Sequence, residues 1–372
     1  MDHQSAVRAV RALAAGEAEF LAALRDIEAL DLDAFEAFLT RHKLLAWVAP
    51  ALTGEAARDL VPEALRERLA DHRARGQARN AALRVESAEI RDALAAAGIE
   101  SLFLKGLYFG DRFYGDAGRR HQGDIDVLVR SARFEPALEV LGRLGFDVAT
   151  NADDGKPVAQ RLREIRGRSP ETAPHGLTVR RDGTKLDLHW CLTSRSVRRV
   201  PEEPLWQARR PFALDGERFE TLSDPDTLMF LLVSICSDLR RGASLAKHFL
   251  DLYLLLRGLD AELDWDDFFA RRRRERLDKP CVNVLAVLLE VWECAAELPG
   301  AARAVRERRP QVELRDRAEA LALVERPRGN QPNRVWFRRV HPRSVPRYWA
   351  WSLTRDLPHT LARLGPRKAR YT

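Results

Sequence analysis

The sequence is poor in the residues that build stapled, metal-clipped or membrane-spanning proteins. It has four cysteines in 372 residues, Cys191, Cys236, Cys281 and Cys294, far apart and without a CxxC pair. That excludes a disulfide framework and a cysteine zinc site, and the four read as reduced core thiols of a cytoplasmic protein. Long apolar runs are also missing. The longest, near Leu228 to Cys236, falls far short of the ~20 residues that cross a bilayer. The first residues, with Asp2, Arg8 and Glu17, hold no apolar signal-peptide segment. No heptad repeat is sustained, which leaves the oligomeric state open.

A hydrophobic fraction of 45% over this length supplies core for two or three compact units. The net charge is +7, unevenly spread. After Glu325 there are twelve Arg or Lys against one acid, Asp356, so the chain before that point is slightly acidic.

The chemistry concentrates around Asp124-Ile125-Asp126, which runs into the apolar Val127-Leu128-Val129. Side chains alternate along a strand, so Asp124 and Asp126 share one face while Ile125 turns to the core. Two carboxylates so close repel unless a cation sits between them, and paired oxygens with phosphates suit Mg²⁺. Taken alone, such a pair also fits a solvated strand edge. Its surroundings favour a metal-phosphate site. Upstream, Glu100 to Leu104 reads as a buried strand running into Lys105-Gly106 and a helix over Leu107 to Phe113. Gly106 allows close backbone approach to a phosphate, a helix start offers free N–H groups, and Lys105, Arg119 and Arg120 add positive charge. Downstream, Lys185-Leu186-Asp187-Leu188-His189-Trp190 alternates again, with Asp187 and His189 on one face. A third carboxylate beside the first two completes a site for two metal ions.

Residues 1–98 read as helical, with helical spacing over Ala6 to Leu24 and Leu32 to Val48, and a long helix over Pro62 to Ala97. Ala132 to Leu144 is an amphipathic helix stopped by Gly145, followed by a short strand at Phe146 to Val148. Residues 151–175 read as a loop with one short helix. Leu177 to Arg181, Asp182-Gly183 and Thr184 to Trp190 form a strong hairpin signal, and a second lies at Phe212 to Phe219. From Ser223 to Leu298 helices return, one opened at Asp224-Pro225, one over Ser244 to Leu256, one capped by Asp264, and an apolar one over Pro280 to Leu298. The run Arg271 to Arg274 reads as the solvated face of a helix, with a nucleic-acid contact as the alternative. The tail from Arg326 interleaves Arg with Trp336, Phe337, Tyr348, Trp349 and Trp351. It either wraps the helical part with its aromatics inward or grips nucleic acid or an anionic membrane.

Together, Leu104-Lys105-Gly106, Arg120, Asp124-Ile125-Asp126 and Asp187-Leu188-His189-Trp190 resemble the nucleotidyltransferases of the DNA polymerase β-like superfamily. Within it they are similar to a large bacterial group with Leu-Lys-Gly, an Arg before Asp-Ile-Asp, and a later acidic-Leu-His-Trp strand. The likeness extends over Leu222 to Leu228 and Lys247 to Leu252, and covers roughly residues 85–290. The wider superfamily usually has Gly-Ser where this chain has Lys105-Gly106. The resemblance implies an α+β fold, with a small mixed sheet as nucleotidyltransferase core and helical regions on either side. The expected parts are 1–98 helical, 99–222 catalytic, 223–325 helical and 326–372 a basic tail.

The implied reaction moves an NMP from an NTP such as ATP to a hydroxyl acceptor with release of pyrophosphate, using two Mg²⁺ or Mn²⁺ ions. Asp124 and Asp126 would hold both ions and Asp187 the one at the acceptor. Lys105, Gly106, Arg120 and Lys247 would bind the triphosphate. His189 either touches the acceptor, orients Asp187 or is structural. Asp251 is expected as a satisfied buried group, Trp190 as core, and Asp111 and Asp116 as bystanders. A small molecule or a protein or peptide side chain is the favoured acceptor. The alternatives are a toxin-type enzyme acting on RNA or a tRNA end, and a nucleotide-binding protein without turnover.

Overall fold

The chain opens with four short helices, α1 (His3–Ala12), α2 (Glu17–Arg25), α3 (Leu32–Arg41) and α4 (Leu45–Thr53). The structure, a computed structural model, describes residues 2–28, 30–148, 176–193, 200–241, 245–314 and 316–325, with Trp336 and Val340 beyond them. The expected loop at 151–175 and all of the basic tail but these two residues lie outside the described residues. Each of the two early helical stretches divides in two. Gly16 separates α1 from α2, and Lys43, at φ 59°, turns the chain between α3 and α4. There the Leu44 N–H reaches back 2.8 Å to the Leu39 carbonyl and closes α3.

The long helix α5 (Glu63–Ala96) follows Pro62 and runs for 34 residues, about 50 Å. Its first half buries Leu65 and Leu69 with the N-terminal helices, and its second half buries Leu83, Ile90 and Leu94 beneath the sheet. Gly98, at φ 65°, turns the chain into the sheet. Next come β1 (Ser101–Leu104), α6 (Gly106–Arg112), β2 (Ile125–Val129), α7 (Phe134–Arg143), β3 (Asp147–Val148), β4 (Gly176–Arg181) and β5 (Thr184–His189). The sheet order is β1-β2-β5-β4-β3. Only the central pair, β2 with β5, is parallel; the other pairs are antiparallel. The β4–β5 turn is Asp182-Gly183, with both residues at positive φ, the backbone a two-residue hairpin needs. After α8 (Glu202–Gln207), the same device at Asp215-Gly216 joins β6 (Arg210–Leu214) to β7 (Glu217–Thr221) in a separate two-stranded sheet.

The remaining helices are α9 (Asp224–Arg241), α10 (Ala246–Leu259), α11 (Trp265–Arg274), α12 (Asp278–Trp292), α13 (Pro299–Glu307) and α14 (Arg317–Glu325). The fold is thus α+β, a small mixed sheet with helices before and after it. Among the described residues no helix is long and apolar enough to cross a membrane. Strand alternation divides the interior into two cores. Ile125, Val127, Val129, Val179, Leu186 and Leu188 face α5 and α7. Leu102, Leu104 and Leu128 face the opposite way, into a core shared by the N-terminal helices, α9, α10 and α12. Trp336 and Val340 are buried in that second-named core as well.

The run Arg271 to Arg274 is only in part the solvated face that its composition suggests: Arg273 and Arg274 are exposed, while Arg271 is half-buried and Arg272 fully buried. On α11, Arg272 falls at helical spacing from Trp265, Phe268 and Phe269, so it lies on the buried stripe. Its Nε sits 2.8 Å from Glu275, and Asp226 on α9, itself fully buried, is shared by Arg271 at 3.1 Å and Arg272 at 3.4 Å.

His42 ties α3 to α10. Its buried Nδ1 accepts the Ala246 N–H at 3.1 Å, satisfying a donor that the start of α10 leaves free. Burial, with the neighbouring His3 and Arg41 charges, pushes the His42 pKa down to about 4. The unfolded residue titrates near 6.5, so between about 4 and 6.5 the unfolded chain binds more protons and stability falls as pH falls. Replacing His42 with Gln keeps an acceptor and removes the titration. Urea denaturation at pH 4.5 and 7 is expected to show an acid loss smaller in this variant than in the wild type, by roughly 1–3 kcal/mol; equal losses would exclude His42 as the source.

Candidate active site

Parallel pairing of β2 and β5 sets Asp126 directly beside Asp187 in register, with Ile125 beside Leu186 and Leu128 beside His189. Asp124 stands just ahead of β2 on the same side as Asp126. The three carboxylates expected from the sequence therefore meet on one face of the sheet. Their charges are balanced by bases on the same face. Lys185 Nζ lies 2.9 Å from Asp124 Oδ2 and 2.6 Å from Asp187 Oδ2, bridging the two. The Thr178 hydroxyl, across the hairpin on β4, donates to the other oxygen of Asp187. His189 Nε2 is 3.1 Å from Asp126 Oδ1.

Burial alone would raise the pKa of Asp126. The His189 hydrogen bond and the charges of Lys105, His189 and Lys185 outweigh it and hold the carboxyl down at about 2. Burial likewise disfavours the Lys185 ammonium, but the hydrogen bond to Asp187 and the charge of Asp124 prevail and raise its pKa.

Lys105 occupies the turn between β1 and α6 at φ 47°, ψ −113°, a strained backbone for a residue with a Cβ. Its ammonium donates to Ser234 Oγ at 3.1 Å and lies 4.2 Å from the centre of the Phe230 ring, both on α9. Gly106 follows it. A Cβ built there would meet Gln122 Nε2 at 2.7 Å, so a larger residue would have to displace the end of the Gln122 side chain that packs over this turn.

Arg120 and Lys247 were expected on phosphates, and both are buried around Asp251. Arg120 binds Asp251 through two parallel bonds of 2.8 and 2.9 Å, and its Nη1 is 3.5 Å from the Gly106 carbonyl. The Tyr114 hydroxyl adds a bond of 2.7 Å, and Lys247 Nζ lies 3.6 Å away. Burial, the charge of Arg120 and that of Lys105 bring the Lys247 pKa down to about 8, against the pull of Asp251 and Asp124. For Asp251 the opposing charges win over burial and hold its carboxyl well below the usual range. Asp251 is thus the satisfied buried group expected of it. Arg120 as arranged fastens the loop before Asp124 to α10. From the other side α5 holds the same loop: Arg79 donates to the carbonyls of Gln122 and Gly123, each at 3.2 Å, and Asn80 to that of Arg120 at 3.0 Å. Arg119 instead stands 5.9 Å from the Trp47 ring. Trp190 is half-buried and packs on Phe134 at 4.2 Å.

The model of a family described as uncharacterised nucleotidyltransferase matches residues 28–293, from just before α3 to just past α12. The chain belongs to this nucleotidyltransferase family. No curated protein matches it in sequence.

In this nucleotidyltransferase, five further residues hold the expected ones in place: Lys185, Thr178, Arg79, Asn80 and Tyr114. Lys185 was legible: it lies two before Asp187, so the alternation that grouped Asp187 with His189 includes it. Thr178 was legible too, because a two-residue turn at Asp182-Gly183 fixes its pairing with Asp187. Arg79 and Asn80 come from the distant helix α5, and Tyr114, though close in sequence to Arg120, acts through Asp251 on α10, so none of the three carries a local signal.

Among the described residues, no three His, Cys, Asp or Glu side chains converge closely enough, as arranged, to hold a metal ion. Lys185 stands between Asp124 and Asp187, and His189 takes Asp126. The donor set nevertheless suits a hard divalent cation, since it is all carboxylate oxygen. The Lys185 ammonium already marks a point where a positive charge is held by two of the three.

Truncating Asp251 would leave Arg120 and Lys247 buried without their counter-charge. The Asp251→Ala variant is expected to lose about 3–5 kcal/mol of stability. Arg75→Ala, which breaks an exposed pair with Asp71 on α5, is expected to lose under about 1 kcal/mol. Urea denaturation of both variants measures the contrast, and a near-neutral Asp251→Ala would remove the clamp from the account.

Proposed function

We propose that the protein transfers an NMP from an NTP such as ATP to the hydroxyl of a small molecule or a peptide side chain, releasing pyrophosphate. The observation that carries this reading is the register of β2 with β5, which sets Asp126 beside Asp187 with Asp124 next to them, in a nucleotidyltransferase chain. The same three carboxylates after a Lys-Gly turn support placing it within the DNA polymerase β-like superfamily.

Two Mg²⁺ or Mn²⁺ ions held by Asp124 and Asp126, one of them also by Asp187, would supply Lewis-acid charge at the phosphates and lower the pKa of the acceptor hydroxyl. The protein's own groups do the positioning. His189 orients Asp126 and Thr178 orients Asp187, so the carboxylates need no rearrangement of their own strands. Lys105 and the Gly106 backbone stand at the end of the face next to Asp124, where they would receive the β and γ phosphates. The Arg120–Asp251 pair acts at one remove, by fixing the loop that presents Asp124. In the reaction the acceptor oxygen bonds to the α-phosphorus, the bond from that phosphorus to the bridging oxygen breaks, pyrophosphate leaves, and the hydroxyl proton is released.

Transfer to RNA is less well supported. Arg271 and Arg272, two of the four residues in the basic run, are engaged with Asp226 and Glu275. A nucleotide-binding protein without turnover would have little reason to keep three like charges together, since each costs free energy to hold beside the others.

Incubation with each α-labelled NTP and Mg²⁺ or Mn²⁺, alone, with total tRNA and with a cell lysate, followed by separation of RNA, protein and small molecules, tests the reading. Label is expected in the protein or small-molecule fraction and is expected to fall to background in a folded Asp126→Asn variant. Transfer that survives that substitution overturns the assignment. A second expectation concerns Lys185. With its ammonium gone, Lys185→Met should bind Mn²⁺ without nucleotide roughly tenfold more tightly than wild type, about 1.4 kcal/mol. Electron paramagnetic resonance titration reads free Mn²⁺ directly, and unchanged affinity would mean that Lys185 and the ion do not compete.

A further inference from the structure

A cavity of about 420 Å³ lies at the far end of the carboxylate face, and Leu128 forms part of its wall. Leu128 is two residues beyond Asp126 on the same side of β2, roughly 7 Å along the strand. It pairs with His189, which touches Asp126. Trp190 and Trp206 supply aromatic walls, Leu205 and Thr193 close the sides, and Glu202 is the single charged group among the described residues that line it. The cavity has the size and apolar character of a small-molecule site. Its aromatic walls are braced from behind. Phe134 packs on Trp190 at 4.2 Å, and the Arg130 guanidinium sits 4.7 Å from the Trp206 ring while its charge is taken by Glu100 and Glu203. Glu202 is fixed too, accepting from the Ser131 N–H and hydroxyl at 2.7 Å each.

We infer that this cavity holds the apolar, ring-sized part of the acceptor, whose hydroxyl then reaches the Asp126–Asp187 pair. The inference rests on the nucleotidyl-transfer reading and names the acceptor class that reading leaves open. In-line displacement requires acceptor and leaving group on opposite sides of the α-phosphorus. β1 runs antiparallel to β2 with Leu104 beside Asp126, so the Lys105-Gly106 turn adjoins the Asp124 end of the face. The cavity adjoins the other end. Its wall presents no Lys, Arg or His among the described residues, and one carboxylate. A polyanionic RNA end finds nothing there to neutralise its phosphates. An uncharged aromatic or branched aliphatic group bearing a hydroxyl, as part of a small molecule or a peptide side chain, fits the lining.

The test uses the full chain and the neutral apolar fluorophore N-phenyl-1-naphthylamine. Wild type is expected to bind it saturably, and the binding is expected to weaken at least tenfold in Leu205→Trp and in Thr193→Trp, which fill the cavity from two different segments. Both variants should bind N-methylanthraniloyl-ATP with Mn²⁺ within twofold of wild type, because neither residue adjoins the carboxylates. Label transfer from α-labelled NTP to the lysate acceptor should fall at least tenfold in whichever of the two folds. No probe binding by wild type, or undiminished transfer in a folded, cavity-filled variant, overturns the inference while the nucleotidyl reading stands. Displacement of the probe by ATP with Mn²⁺ assigns the cavity to the nucleobase and overturns it as well. Loss of N-methylanthraniloyl-ATP binding and of all labelling in the wild type itself removes the nucleotidyl reading, and the inference with it.

Discussion

Two strands running the same way put two aspartates side by side, and everything around the site answers that repulsion. Had β2 and β5 paired with a one-residue slip, Asp126 would have faced an apolar neighbour and the carboxylates would have parted to opposite faces. The apolar residues prevent the slip, because Ile125, Val127, Leu186 and Leu188 must all enter the core beneath the sheet. Hydrophobic burial thus imposes a register that electrostatics alone would avoid. The cost is offset locally by Lys185, His189 and Lys105, which together outweigh the burial of Asp126 and keep it ionised. A site whose carboxylates are kept ionised by side-chain cations is suited to a reaction whose substrate brings its own ions and phosphates.

The second constraint is that Asp124 sits in a loop, not in a strand. Loops drift unless they are tied, and this one is tied on two sides to helices that lie before and after the sheet in the chain. α5 binds its carbonyls through Arg79 and Asn80, and α10 binds its guanidinium through Asp251. The start of α10 is in turn held by His42 on the N-terminal side. The helices before and after the sheet share a single core, so the loop is clamped within one packed body. A buried ion pair is a poor source of net stability. Its geometric strictness is its use here: two parallel bonds between a planar guanidinium and a carboxylate admit one orientation.

Much of this was legible from local pattern. Period-two alternation located β2 and β5 and grouped Asp124 with Asp126 and Asp187 with His189. Asp-Gly turns located both hairpins, and Asp224-Pro225 and Asp264 located helix starts. The same rules, applied one step further, reach Lys185 and Thr178. The failures have a different origin. Arg120 carries the same charge whether it meets a phosphate or a buried carboxylate, and only the packing of α10 against the loop decides between them. Arg272 sits in a run of four arginines, where composition says solvent. Helical spacing from Trp265 and Phe268 puts it on the inner stripe, where Glu275 and Asp226 make its burial tolerable. Arg79, Asn80 and Tyr114 act through contacts distant in sequence, which no local window contains.

The extent of the family match follows from this architecture. It reaches from residue 28 to residue 293, well past the sheet on both sides, and takes in α3 to α12. A sheet that could stand alone would need no such flanks. Here the carboxylate-bearing side of the sheet is covered by the helical core, with Ser234 and Phe230 on α9 receiving the Lys105 side chain and Asp251 on α10 receiving Arg120. Remove those helices and Lys105 loses the partners that hold its strained turn, while Arg120 loses the only carboxylate bonded to it among the described contacts. The sheet supplies the carboxylates, the helices fix where the Lys105-Gly106 turn and the loop before Asp124 stand, and neither half makes the site without the other.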